Sequence, residues 1–130
     1  MGQFKHNSVL LIDDSYIDNL INRKILENNK FAENIVVIDS PQAAINFLRD
    51  KQTAGEDFPE VIFLDLRMPG MSGFDLLQEL HSIIGDKAGI IKIFVLSSSL
   101  DPSDLKRAHE NSLVTRFIGK PLTNKILEEI

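Results

Sequence analysis

The chain has 130 residues, 43% of them hydrophobic and 25% charged, which suits one domain with a real core and leaves no room for a second. Its net charge of −5, with Lys and Arg scattered along the chain, argues against a direct nucleic-acid surface. The absence of cysteine excludes disulfide and thiolate chemistry, and the apolar runs are far too short to span a bilayer.

The opening MGQFKHN has neither an apolar signal region nor a hydroxyl at position 6 for a myristoylation signal, so the expected compartment is the cytoplasm. Residues 1–7 read as a flexible tail before a first strand at Val9 to Ile12. Ser15 and Asp18 form a capping-box-like start, and Ile17, Leu20, Ile21 and Lys24 with Ile25 predict an apolar stripe on the first helix. A second strand, Ile35 to Ile38, ends at Asp39, and Ser40-Pro41 opens a second helix with Ala44, Phe47 and Leu48 on one face.

The third strand, Val61 to Leu64, leads through a turn rich in Gly, Pro and Met to a helix marked by Phe74, Leu77, Leu80 and Ile84. The fourth runs from Ile93 to Leu96. Asp101-Pro102 then starts a helix whose stripe is weak, with only Leu105 and Ala108 apolar. The fifth strand, Val114 to Ile118, precedes a helix lined by Leu122, Ile126, Leu127 and Ile130.

Apolar runs alternating with helical periodicity build βαβ units around a parallel sheet, and strands without polar alternation are buried on both faces. Right-handed connections point all the strands one way, so their C-terminal ends share one edge, where open α/β sheets bind ligands. That edge collects Asp13 and Asp14, Asp65, Ser97 and Ser98, and Lys120 followed by Pro121.

Carboxylates so gathered repel: two charges ~5 Å apart at an effective dielectric of ~20 cost about 3 kcal/mol. Lys120 supplies one cation, and a small, open, all-oxygen site suits Mg²⁺, with Mn²⁺ able to substitute. A carboxylate beside Mg²⁺ and Lys can attack phosphorus as a nucleophile, giving an aspartyl phosphate. Ser97 would donate its hydroxyl to a phosphoryl oxygen, and backbone N–H groups of the loops would serve the others. Pro69-Gly70 and Gly73 let the loop after strand three turn sharply and approach that site.

IDDS, FLDLRMPGMSG, VLSSS and GKP, in this order and spacing, resemble the receiver domain of two-component response regulators. The resemblance covers essentially the whole chain, read as one domain over 1–130. It implies a flavodoxin-like α/β fold: a doubly wound, five-stranded parallel sheet of order 2-1-3-4-5 in a three-layer sandwich. It further implies that Asp65 accepts a phosphoryl group from a sensor histidine kinase or histidine phosphotransfer protein. Asp14 and Asp65, joined by the backbone carbonyl of Arg67, look like direct metal ligands, with Asp13 positioning metal-bound water. Ser97 and Lys120 match the phosphoryl-binding hydroxyl and lysine.

In that family the hydroxyl residue moves toward the phosphoryl group and an aromatic of strand five, here Phe117, turns inward behind it. The face of helix four, strand five and helix five is then remodelled for a downstream protein, and phosphorylation-dependent pairing of two copies also fits the resemblance. Phe117 stands where a Tyr is usual, so switching would rest on packing alone. Arg67 and Ser99 lie where the family tunes the acyl-phosphate lifetime. The chain ends soon after its fifth helix begins, as expected of a stand-alone receiver or of one cut from a longer regulator.

Other residues have blander readings. Ser98 and Ser99 are expected to bond backbone in a loop. Asp39, ending an edge strand, is expected to cap or face solvent. His6, His81 and His109 share no metal spacing and read as exposed helix or tail residues. The leading function is a phosphorylation-controlled binding module that is an enzyme only toward itself. An aspartyl-phosphate phosphatase would carry a second acid two residues after Asp65, where Arg67 stands. A flavin or nucleotide binder would meet repulsion from Asp13 and Asp14. A receiver relic that works without phosphorylation would usually have lost a site residue, and none is missing here.

Overall fold

The structure is a computed structural model describing residues 3–87, 89–98 and 101–130. Five parallel strands, β1 (His6–Ile12), β2 (Ala32–Ile38), β3 (Val61–Asp65), β4 (Lys92–Ser97) and β5 (Val114–Gly119), form one sheet of order β2-β1-β3-β4-β5. The helices are α1 (Tyr16–Asn28), α2 (Pro41–Ala54), α3 (Gly73–Ile84), α4 (Pro102–Glu110) and α5 (Asn124–Glu129). The expected order is therefore the one observed.

Strand side chains alternate between two cores. Leu10, Ile12, Ile62, Leu64, Ile93 and Val95 pack with α2 and α3, and with Ala108 of α4. Val9, Leu11, Val61, Phe63, Phe94 and Leu96 pack with Leu26 of α1 and Leu127 of α5. Each helix begins at a side-chain oxygen that accepts a backbone N–H of its first turn: Ser15, Ser40, Ser72, Asp101 and Thr123.

Several expectations need correction. The N-terminal tail is shorter than residues 1–7, because His6 and Asn7 already belong to β1 and the Lys5 N–H donates to the Lys30 carbonyl. His6 is neither exposed nor in a tail: its ring lies 4.8 Å from that of Phe31. Of the stripe read on α1, only Ile25 packs inward. Ile17, Leu20 and Ile21 are exposed, and the buried face carries Asn19, Asn22 and Leu26. In α4 the buried residues are Asp104 and Ala108, while Leu105 is exposed. Helical periodicity defines a face without saying which way it points; neighbouring polar groups decided both cases.

Candidate functional site

Register brings the rim together. Ile12 pairs with Leu64, so the next residues, Asp13 and Asp65, leave adjacent strands side by side. Ser97 pairs with Gly119, which sets Lys120 just beyond it, and the Lys120 N–H donates to the Ser97 carbonyl at 2.8 Å. Asp13 and Asp65 are buried and Asp14 is exposed, and carboxylate oxygens of all three lie within 4.8 Å of one another.

Lys120 sits among these acids with its side chain only 8% exposed. Its Nζ lies 2.6 Å from Asp13 Oδ2, 2.8 Å from Asp18 Oδ2 and 3.5 Å from Asp65 Oδ1. Burial alone would lower its pKa, but hydrogen bonds to Asp13 and Asp18 and the charge of Asp65 outweigh that and hold it above the ordinary lysine value. Burial raises the pKa of Asp65, with the neighbouring Asp13 adding to the rise; Lys120 and the Arg67 N–H oppose it.

The loop between β3 and α3 is folded tightly against Asp65. Gly70 has φ 83°, a left-handed conformation suited to glycine. At Gly73 the constraint is space: a Cβ there would lie 2.6 Å from the Asp65 carbonyl oxygen and 2.6 Å from Leu66 Cα, and the Gly73 N–H donates to the Leu66 carbonyl at 2.8 Å. Only glycine lets α3 begin this close to the end of β3.

Phe117 is half-buried and packs against the α2–α3 core. Arg67 reaches outward to ion-pair with the buried Asp104 of α4, joining the loop after Asp65 to that helix. Asp39 is exposed, as expected, and Ser98 is exposed too; Ser99 lies outside the described residues. His81 and His109 are exposed and belong to different helices.

Three contributors were not legible. Asn19 Nδ2 donates to the Asp13 carbonyl at 2.7 Å, and Asn22 Oδ1 accepts the Leu122 N–H at 3.1 Å. Asp18 forms half the expected capping box. Its N–H donates to Ser15 Oγ, but the Ser15 N–H is taken by Asp13 Oδ1 at 2.9 Å, and the Asp18 carboxylate turns to Lys120. The one available signal was spacing: Asp18 and Asn22 stand four apart, on one face of a helix that starts at the rim.

A five-stranded 2-1-3-4-5 sheet with clustered acids and a lysine at its C-terminal edge defines a receiver-type α/β domain. The sequence matches the family model of the response regulator receiver domain over residues 9–130, and the chain belongs to that family, whose role is two-component phosphorelay signalling. A two-component response regulator from Cytophaga hutchinsonii is 36% identical, with a TM-score of 0.89 over 96% of this chain and 93% of that one. A response regulator receiver protein from Dyadobacter fermentans is 30% identical, with a TM-score of 0.82 over 94% and 92%. The two-component response regulator ORR1 of Oryza sativa subsp. japonica is 30% identical over 94% of this chain, which spans about half (52%) of that relative's length.

Proposed function

We propose that Asp65 is the phosphoacceptor and that the chain is a phosphorylation-controlled binding module, one receiver domain over 1–130. The observation that carries this reading is Lys120 Nζ lodged between Asp13 Oδ2 at 2.6 Å and Asp65 Oδ1 at 3.5 Å, on the ligand-binding edge of the sheet. In the reaction an Asp65 carboxylate oxygen attacks phosphorus and the bond from phosphorus to the donor breaks, its electron pair leaving with the donor. Lys120 and Ser97 bind the transferred oxygens.

Asp13, Asp14 and Asp65, with the Arg67 carbonyl, would hold Mg²⁺, for which Mn²⁺ could substitute. The all-oxygen donor set fits a hard cation, and the exposure of Asp14 leaves a side open for water. Bound there, Mg²⁺ supplies positive charge to offset the phosphoryl oxygens. Ser97 and Phe117 would then shift, changing the face of α4, β5 and α5 for a downstream protein or a second copy.

The donor would be a sensor histidine kinase or a histidine phosphotransfer protein in the cytoplasm. No described helix is long and apolar enough to cross a membrane. Arg67, engaged with Asp104, offers no general acid, which favours self-limited phosphorylation over a phosphatase acting on other substrates.

Intact-mass spectrometry after incubation with acetyl phosphate and Mg²⁺ tests the reading. One phosphoryl adduct is expected in the wild type, and none in Asp65→Asn or with EDTA. No wild-type adduct from an active donor would sink the acceptor assignment.

A further inference from the structure

Lys120 is hemmed in by acids at rest. An ammonium carries three N–H donors, and three carboxylates surround this one: Asp13 at 2.6 Å, Asp18 at 2.8 Å and Asp65 at 3.5 Å. A phosphoryl group on Asp65 brings further anionic oxygens to the same ammonium, where they compete with the partners already there.

Asp18 is the partner released at least cost. Its side chain is 36% exposed, against 0% for Asp13 and 8% for Asp65, so water can satisfy it once Lys120 leaves. It stands outside the Asp13, Asp14 and Asp65 group suited to a cation. Asp18 and Lys120 also line a cavity of about 240 Å³ with Ile21, Asn22, Ser98 and Pro121, which leaves room for the exchange. Helix capping does not explain the carboxylate's position, because the Asp18 N–H, and not its side chain, meets Ser15.

We propose that Asp18 is a positioning residue that holds Lys120 Nζ in place of phosphoryl oxygens, and that phosphorylation of Asp65 exchanges the Lys120–Asp18 bond for a Lys120–phosphoryl bond. Asp18 thus opposes phosphoryl binding by competing for the same ammonium. The inference rests on Asp65 being the acceptor.

Beryllium fluoride with Mg²⁺, a phosphoryl mimic, provides a test by calorimetric titration of the full chain. Asp18→Asn should bind it roughly three-fold more tightly, the size of a partly exposed ion pair, and Asp18→Glu should return toward wild type. Asp39→Asn is the charge control: Asp39 borders the Asp14 side of the rim, away from Lys120, and its removal should shift affinity less. The KM for acetyl phosphate should fall in Asp18→Asn with kcat unchanged, a split that loss of a helix-terminal charge would not produce. Should Asp18→Asn not fold, Asp18→Ser carries the same comparison.

Affinity equal to or weaker than wild type, or an equal gain in Asp39→Asn, would overturn the exchange. If the wild type is phosphorylated and Asp18→Asn binds no tighter, only this inference fails. If the wild type accepts no phosphoryl group, the acceptor reading fails with it.

Discussion

Helices α1 and α3 pack on opposite faces of the same sheet, and they treat their apolar residues in opposite ways. On α3, Phe74, Leu77, Leu80 and Ile84 are buried with Leu76 and Ile83 against the strands. On α1, Tyr16, Ile17, Leu20 and Ile21 are exposed while Asn19 and Asn22 are buried. The difference follows from what each helix covers. Beneath α3 lies an apolar sheet, whereas the first turns of α1 cover the ends of loops whose backbone groups need partners. Asn19 bonds the Asp13 carbonyl and Asn22 the Leu122 N–H, so α1 braces the segments carrying Asp13 and Lys120 from both sides.

If α3 is the adhesive helix, truncating it should cost most. Leu80 is fully buried, and Leu80→Ala should lower unfolding free energy by about 2–5 kcal/mol, measured in urea. A loss under 1 kcal/mol would mean the α3 face is looser than its burial implies.

Gly73→Ala tests the other end of α3. The added methyl meets backbone of Asp65 and Leu66 at 2.6 Å and cannot be relieved by a side-chain rotation. The expected cost is about 1–3 kcal/mol, together with slower phosphorylation, because the shift is delivered to Asp65 itself. Unchanged phosphorylation with lowered stability would separate the packing of α3 from the geometry of the site.

The same contrast explains what could be read from the chain alone. Strands β1, β3 and β4 were legible because uninterrupted runs such as Val61 to Leu64 leave no solvent face. The rim was legible because Asp13, Asp65 and Ser97 each follow such a run directly, and Lys120 follows the last strand. The outward stripe of α1 was not, since Ile17, Leu20 and Ile21 have a core residue's spacing and only the polar demand of the neighbouring loops reverses their direction. Asp104 was missed for a related reason: a helix acid reads as solvated until its partner, Arg67, is located 37 positions away.

Asn22→Ala probes the brace on α1. It leaves the Leu122 N–H without its acceptor in a buried place, costing about 1–3 kcal/mol. Because Leu122 follows Lys120-Pro121, the acetyl phosphate reaction should slow as well. Loss of stability with no change in phosphorylation would make Asn22 a core residue only.

The buried acids of the rim also carry an electrostatic cost. Burial raises the Asp65 pKa, so between its unfolded and folded values the folded state binds more protons and stability falls as pH rises. Above the folded value both states are ionised and the folded one bears the whole penalty. Metal-free Asp65→Asn should therefore melt above the wild type at pH 7 in EDTA, with the gap closing as pH falls from the folded value toward the unfolded one. Equal melting at pH 7 would show that Lys120 fully compensates the burial.

The smallest effect is expected on the outer face of α1. Leu20 is 49% exposed, so Leu20→Gln surrenders little burial and should change unfolding free energy by no more than about 0.5 kcal/mol. Phosphorylation by acetyl phosphate should be unaltered, since the substitution touches none of the groups that meet Lys120 or Asp65. A loss near 1 kcal/mol that grows with protein concentration would show that the free chain covers this face with a second copy. A loss independent of concentration would mean that α1 is held by its apolar stripe after all, and the contrast with α3 would collapse.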